Sequence, residues 1–126
     1  MQDTSLENLL KLSAEERLDF FITKVADSGE VWGLFDEGWA MATGEDDSKV
    51  LVLWPEKEIA ELCRVEAWAS FEPKSIELNL FIEKWLVGMS DDGLKAGVFP
   101  LPSDKGVVLD SMELREEMLA ELDAQE

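Results

Sequence analysis

The sequence has no histidine, no tyrosine and a single cysteine, Cys63. Without imidazole there is no Ser-His-Asp or Cys-His arrangement and no zinc site that needs a histidine ligand. One thiol builds neither an intrachain disulfide nor a thiolate cluster. Neither a P-loop nor a GxGxxG motif occurs, and Gly33, Gly38 and Gly44 stand too far apart to form a phosphate loop. No cofactor and no metal ligand set is indicated. Positive charge is also scarce: 11 Lys and Arg face 29 Asp and Glu, a net charge of −18. Such a field repels phosphate backbones and anionic membrane surfaces, which disfavours nucleic-acid and membrane binding and leaves room for a basic protein partner. No apolar run approaches the roughly 20 residues that span a bilayer. The start, Met1 to Glu7, carries acid where a signal peptide carries lysine or arginine, so a cytoplasmic protein is expected.

What is present suits one globular domain over 1–126, with 46% hydrophobic residues. Two capping boxes, Thr4 with Glu7 and Ser13 with Glu16, open the chain. They predict a short helix at about 5–11 and a longer one at about 14–27, the second with Leu18, Phe21, Ile22 and Val25 on one face. Strands are predicted at 31–35 and 39–43 around Asp36-Glu37-Gly38, with the glycine taking a positive φ in the hairpin bulge. The run 50–54 is apolar on both faces and predicts a central strand. Pro55 then suits the first turn of a helix carrying Ile59, Leu62 and Cys63 inward, with Trp54 packed beneath it.

The stretch 65–71 alternates and predicts a strand, with 72–75 a loop after it. Asn79 is a candidate cap for a helix at about 80–87 that Gly88 would end, and Asp91-Asp92-Gly93 reads as a turn. A hairpin is predicted from 94–99 and 106–110, followed by an acidic C-terminal helix at about 111–124. The fold class is therefore α+β: a mixed or mostly antiparallel sheet of about five or six strands with helices packed on it.

Carboxylates are the only abundant chemical groups. Paired Asp or Glu allow acid–base work, so a carboxylate-dependent hydrolase stays as one alternative. Asp46-Asp47 and Asp91-Asp92 are the densest pairs, and neither has the alternating spacing of a calcium loop. Solvated turns account for both. The five tryptophans say more. Trp32 and Trp85 sit in apolar patterns that suit a core. Trp39 follows a turn glycine, which suits a partly exposed ring. In the strand expected at 65–71, Trp68 falls on the face of Glu66 and Ser70, away from Val65, Ala67 and Ala69, where the ring either lies under a helix of the fold or is open to a partner. Trp68, Glu66 and Trp39 are thus the candidate partner contacts, because tryptophan is favoured at interface hot spots. A homodimer is one form such a contact can take.

The order of features resembles a known family. "LSAEERLDFFITKVADSGEVWGLFDEGWA" (12–40), "VLWPEKEIAELC" (52–63) and "FIEKWLVGMSDDGLKAGVFPLPSDKGVVL" (81–109) look like the bacterial domain of unknown function 2750. The resemblance covers about 12–115. It rests on Val31-Trp32-Gly33-Leu34, Trp54-Pro55, Trp85-Leu86 and Val98-Phe99-Pro100. It implies no catalytic residues. Where that family often has a histidine after the Trp-Pro pair, this chain has Glu56. More loosely, the middle and C-terminal half is similar in element order to the N-terminal domain of the enhanced serine sensitivity protein. The expected role is a cytoplasmic, non-enzymatic protein-interaction module. The alternatives are an immunity or antagonist protein with an acidic surface for a basic partner, and the hydrolase.

Overall fold

A computed structural model describes residues 11–43, 47–65, 68–101 and 106–124. The expected helix at 5–11 and Glu66 lie outside the described residues.

Helix α1 is Ala14–Ser28. Its capping box forms as the sequence requires: Ser13 Oγ accepts from the Glu16 N–H at 3.2 Å, and the Ser13 N–H donates to Glu16 Oε1 at 2.9 Å. Gly29 ends it at φ 79°, a conformation cheap for glycine. The helix buries Phe21, Ile22 and Val25, and also Arg17.

Among the described residues six strands form two sheets, where a single sheet was expected. β1 (Glu30–Phe35) pairs antiparallel with β4 (Glu72–Glu77), with Gly33 opposite Lys74. The other sheet has the order β2-β3-β5-β6, from Met41–Thr43, Lys49–Leu53, Lys95–Val98 and Val107–Asp110. β3 and β5 are parallel, and the other neighbours in that sheet are antiparallel. β3 is buried from Val50 to Leu53, as a strand covered on both faces must be. An antiparallel bridge joins the sheets where Trp32 and Trp54 exchange hydrogen bonds of 2.9 and 2.8 Å. Helix α1 lies against β1, β5, β6 and α5 (Ser111–Ala124). Helix α2 (Lys57–Leu62) covers β1 and β4.

Four local expectations are corrected. Residues 68–70 form a tight turn, not a strand: the Trp68 N–H bonds Val65 O and the Phe71 N–H bonds Trp68 O. The strand is instead 72–77, where Pro73 is tolerated because β4 is an edge. Helix α2 opens at Lys57, with Glu56 in extended geometry as its N-cap, so Pro55 precedes the cap and lies outside the first turn. In the β1–β2 connection the positive φ belongs to Glu37 (60°), not to Gly38.

The fourth correction is helical. Leu78–Leu80, Phe81–Trp85 and Leu86–Asp91 run as one helix, α3 to α4, through a π-turn at 81–85. Its N-cap is Glu77, which leaves Asn79 inside the helix, and Gly88 does not end it. Gly93, at φ 75°, follows the C-cap Asp92. At the π-turn the Leu86 N–H, which a regular α-turn would give to Ile82 O, goes to Phe81 O. Ile82 O accepts from Arg115 Nε of α5 at 3.1 Å. The extra residue rotates the later turns by about 100° relative to a uniform α-helix.

Candidate functional site

Four of the five tryptophans fall in two places. The first is the corner where β3 ends. Trp54 is fully buried, and its indole N–H donates to Pro100 O at 2.9 Å. The Cys63 S–H donates to the same carbonyl at 3.3 Å. Next to it, Phe99 is held at φ 56°. Its N–H bonds Leu53 O at 2.8 Å, and its carbonyl accepts from the buried Arg17 Nε at 3.1 Å. Arg17 Nη1 also donates to Leu12 O. Trp68 closes the outside of this corner, with its ring edge-on to Trp54 at 6.0 Å between centroids. Trp54, Pro55, Phe99 and Pro100 are therefore all buried, with the first pair tied to the second through the Trp54 indole.

Cys63 is 2% exposed, and burial pushes its thiol up from 9.0 to about 11, opposed by the neighbouring Trp54 side chain. In the unfolded chain the thiol titrates near 9, so between the two values only the native state keeps the proton. Stability is expected to be unaffected by this group below pH 9 and to fall by about 1.4 kcal/mol per pH unit as pH rises toward 11. Urea melts of wild type and Cys63→Ala across that range check it. The alanine variant should lose that alkaline slope, and an unchanged slope refutes the assignment.

The second place is at the surface. Phe35, Trp39 and Trp85 are each partly buried. Trp39 stands edge-on to Phe35 at 5.1 Å and to Trp85 at 5.1 Å, with interplanar angles of 69° and 87°. Backbone features hold each ring. Trp39 pairs with Phe35 across the turn. Its ring lies over Gly33, where a Cβ would stand 2.9 Å from Cε3 and 3.0 Å from Cζ3. Glycine is thus what lets the indole lie on β1. Trp85 is the last residue of the π-turn that Arg115 bonds. Lys74, exposed on β4, points its Nζ over the Phe35 ring at 4.3 Å.

A family model described as "Protein of unknown function (DUF2750)" matches residues 18–118. The chain belongs to that family. The DUF2750 match spans Gly33, Phe35, Trp39, Lys74, Trp85 and Arg115, so every part of the surface cluster lies within it. It also contains Trp54 and Phe99 and starts one residue after Arg17. No curated protein and no solved structure matches the chain.

Of the residues singled out from sequence, Trp39 sits in the surface cluster and Trp68 at the closed corner; the structure does not bring them into one ring contact. Phe35 and Lys74 escaped sequence reasoning, and Trp85, expected in the core, is only partly buried; only the β1–β4 ladder and the π-turn carry these residues to Trp39. For hydrolysis, the relevant finding is that the buried polar side chains among the described residues are Arg17 and Ser111, with no carboxylate. A groove of about 320 Å³ between α1 and α5 is lined by Asp19, Ile22, Thr23, Glu117, Ala120 and Glu121, with Asp19 and Glu117 exposed. No group of three or more Asp, Glu or Cys that could hold a metal is present among the described residues. Nor is any of their helices long and apolar enough to cross a membrane.

Proposed function

We propose that the chain is a non-enzymatic protein-interaction module that meets its partner through Phe35, Trp39 and Trp85. The observation that carries this reading is three aromatic rings held in fixed edge-to-face geometry and left partly open. Rigid aromatic anchors of this kind supply most of the energy at protein interfaces. Trp68, with Glu66 close in sequence, is the lesser contact, since its ring already spends an edge on Trp54. The net charge of −18 favours a second, compatible reading, an acidic antagonist that masks a basic partner.

Affinity capture from the native host, with wild type and Trp39→Ala compared, tests the surface. Trp39→Ala is expected to stay folded and to lose the captured partner. Association of the wild type is expected to weaken with salt, since charges are screened beyond about 8 Å at physiological ionic strength. A partner retained in full by a folded Trp39→Ala chain refutes the surface. Binding indifferent to salt refutes the basic partner.

A further inference from the structure

Lys74 stands where a partner's cation would stand. Its Nζ lies 4.3 Å from the Phe35 centroid and 5.9 Å from the Trp39 centroid. The β1–β4 register places it there, because Lys74 is opposite Gly33, the residue under the Trp39 ring. Among the described residues it has no carboxylate within ion-pair distance. An exposed ammonium on a flexible stem is free to sit in water. This one lies over ring faces, whose negative quadrupole attracts a cation.

Acidic residues flank Phe35 along the chain and across the ladder, and one of them, Asp36, accepts from Ser70 Oγ at 2.9 Å. Asp36 and Glu37 directly follow Phe35, and Glu72 is its ladder partner; all three are exposed. A guanidinium fits such a place better than an ammonium. It is planar and less strongly hydrated, it stacks on aromatic faces, and its fork of N–H donors meets carboxylates in pairs. The overall charge draws a basic segment toward the surface from any direction.

We propose that Phe35 and Trp39, with Trp85 edge-on against Trp39, form an arginine seat. It receives an arginine side chain from a basic segment of a protein partner, and Lys74 fills it until that arginine displaces the ammonium. This rests on the reading of the same rings as the interaction surface. Lys74 acts as an internal competitor, so removing it strengthens binding. A surface lysine elsewhere has no such effect beyond its single charge.

The peptide Gly-Arg-Gly-Arg-Gly is the probe, titrated while the indole N–H resonances are followed. Lys74→Met and Lys49→Met each remove one positive charge, and both lysines are exposed. The expected result is that Lys74→Met tightens the peptide about three- to fivefold more than Lys49→Met does. The Trp39 and Trp85 signals should move while that of buried Trp54 stays. The lysine analogue of the peptide should bind more weakly. Equal effects of the two methionine variants, or shifts that bypass Trp39 and Trp85, overturn the seat. Equal affinity for the lysine peptide overturns its preference for arginine. If the seat fails while Trp39→Ala still releases the cellular partner, the interaction surface stands without it. If Trp39→Ala keeps that partner, the surface itself is refuted.

Discussion

Trp54→Ala is expected to cost about 3–5 kcal/mol, the usual loss when a buried aromatic is cut back to a methyl. That is a large share of the roughly 5–15 kcal/mol that holds a domain of this kind together. The ring is wholly excluded from water and packs against Trp68. Its backbone also forms the bridge to Trp32 that joins the two sheets, so the cavity opens beside the seam between them. Trp54→Phe separates packing from hydrogen bonding. It keeps most of the ring and loses the N–H that Pro100 O accepts. That carbonyl still has the Cys63 S–H, a weak donor, so about 1–2 kcal/mol is expected. Adding Cys63→Ala to Trp54→Phe strips the carbonyl of both side-chain donors and should cost more than the two single changes together. Urea unfolding of the four variants measures this. A loss under about 1.5 kcal/mol for Trp54→Ala would contradict the corner's role in the core.

Gly106→Ala is the second large effect, expected at roughly 2–5 kcal/mol from a left-handed backbone and overpacking together. Gly106 has φ 75°, and a Cβ there would run into the Val98 carbonyl oxygen and stand 3.1 Å from the Phe99 carbonyl carbon. These are backbone atoms next to the strained Phe99 and cannot swing aside. Gly29 supplies the comparison, because its φ is 79° and nothing lies within 4 Å of the added Cβ. Gly29→Ala therefore isolates the cost of the left-handed conformation, about 1 kcal/mol. Thermal or urea denaturation of both variants gives the difference. Equal losses at the two positions would mean that the clash at 106 relaxes freely.

Elements whose local signals agreed with their tertiary setting could be read from sequence. Helix α1 had a capping box, an apolar stripe and a stop glycine, and it formed within a residue of the expected ends. Strand β3 was apolar on both faces and is the buried middle of its sheet. The stretch 65–71 alternates, but its described residues turn. Strand β4 contains a proline and three charges, which its edge position permits. That setting is not visible until β1 pairs with it. The π-turn was hidden too. Phe81, Ile82 and Leu86 keep a helix-like spacing although one backbone hydrogen bond has shifted by a residue. Buried Arg17 gave no sign, since an arginine inside an amphipathic helix reads as solvent-facing until Phe99 offers it a carbonyl. At the candidate site, sequence pointed to Trp39 from its place after a turn. Its neighbours come from β1, β4 and the helix through Trp85, and only tertiary pairing assembles them.

The way the strands interleave along the chain bears on how it folds. β1 and β4 make one sheet, yet β2 and β3 of the other sheet lie between them in sequence. The parallel β3–β5 pair is in turn joined through α2, β4 and the π-turned helix. Neither sheet can be completed from a continuous segment. A nascent chain cannot finish the first sheet until β4 arrives, and β3 then waits for β5. Early hairpins form only provisional structure. The barrier to folding includes closing long loops before their contacts repay the entropy. Once formed, the two sheets should open together as one cooperative unit, because releasing either takes apart the connection that holds the other.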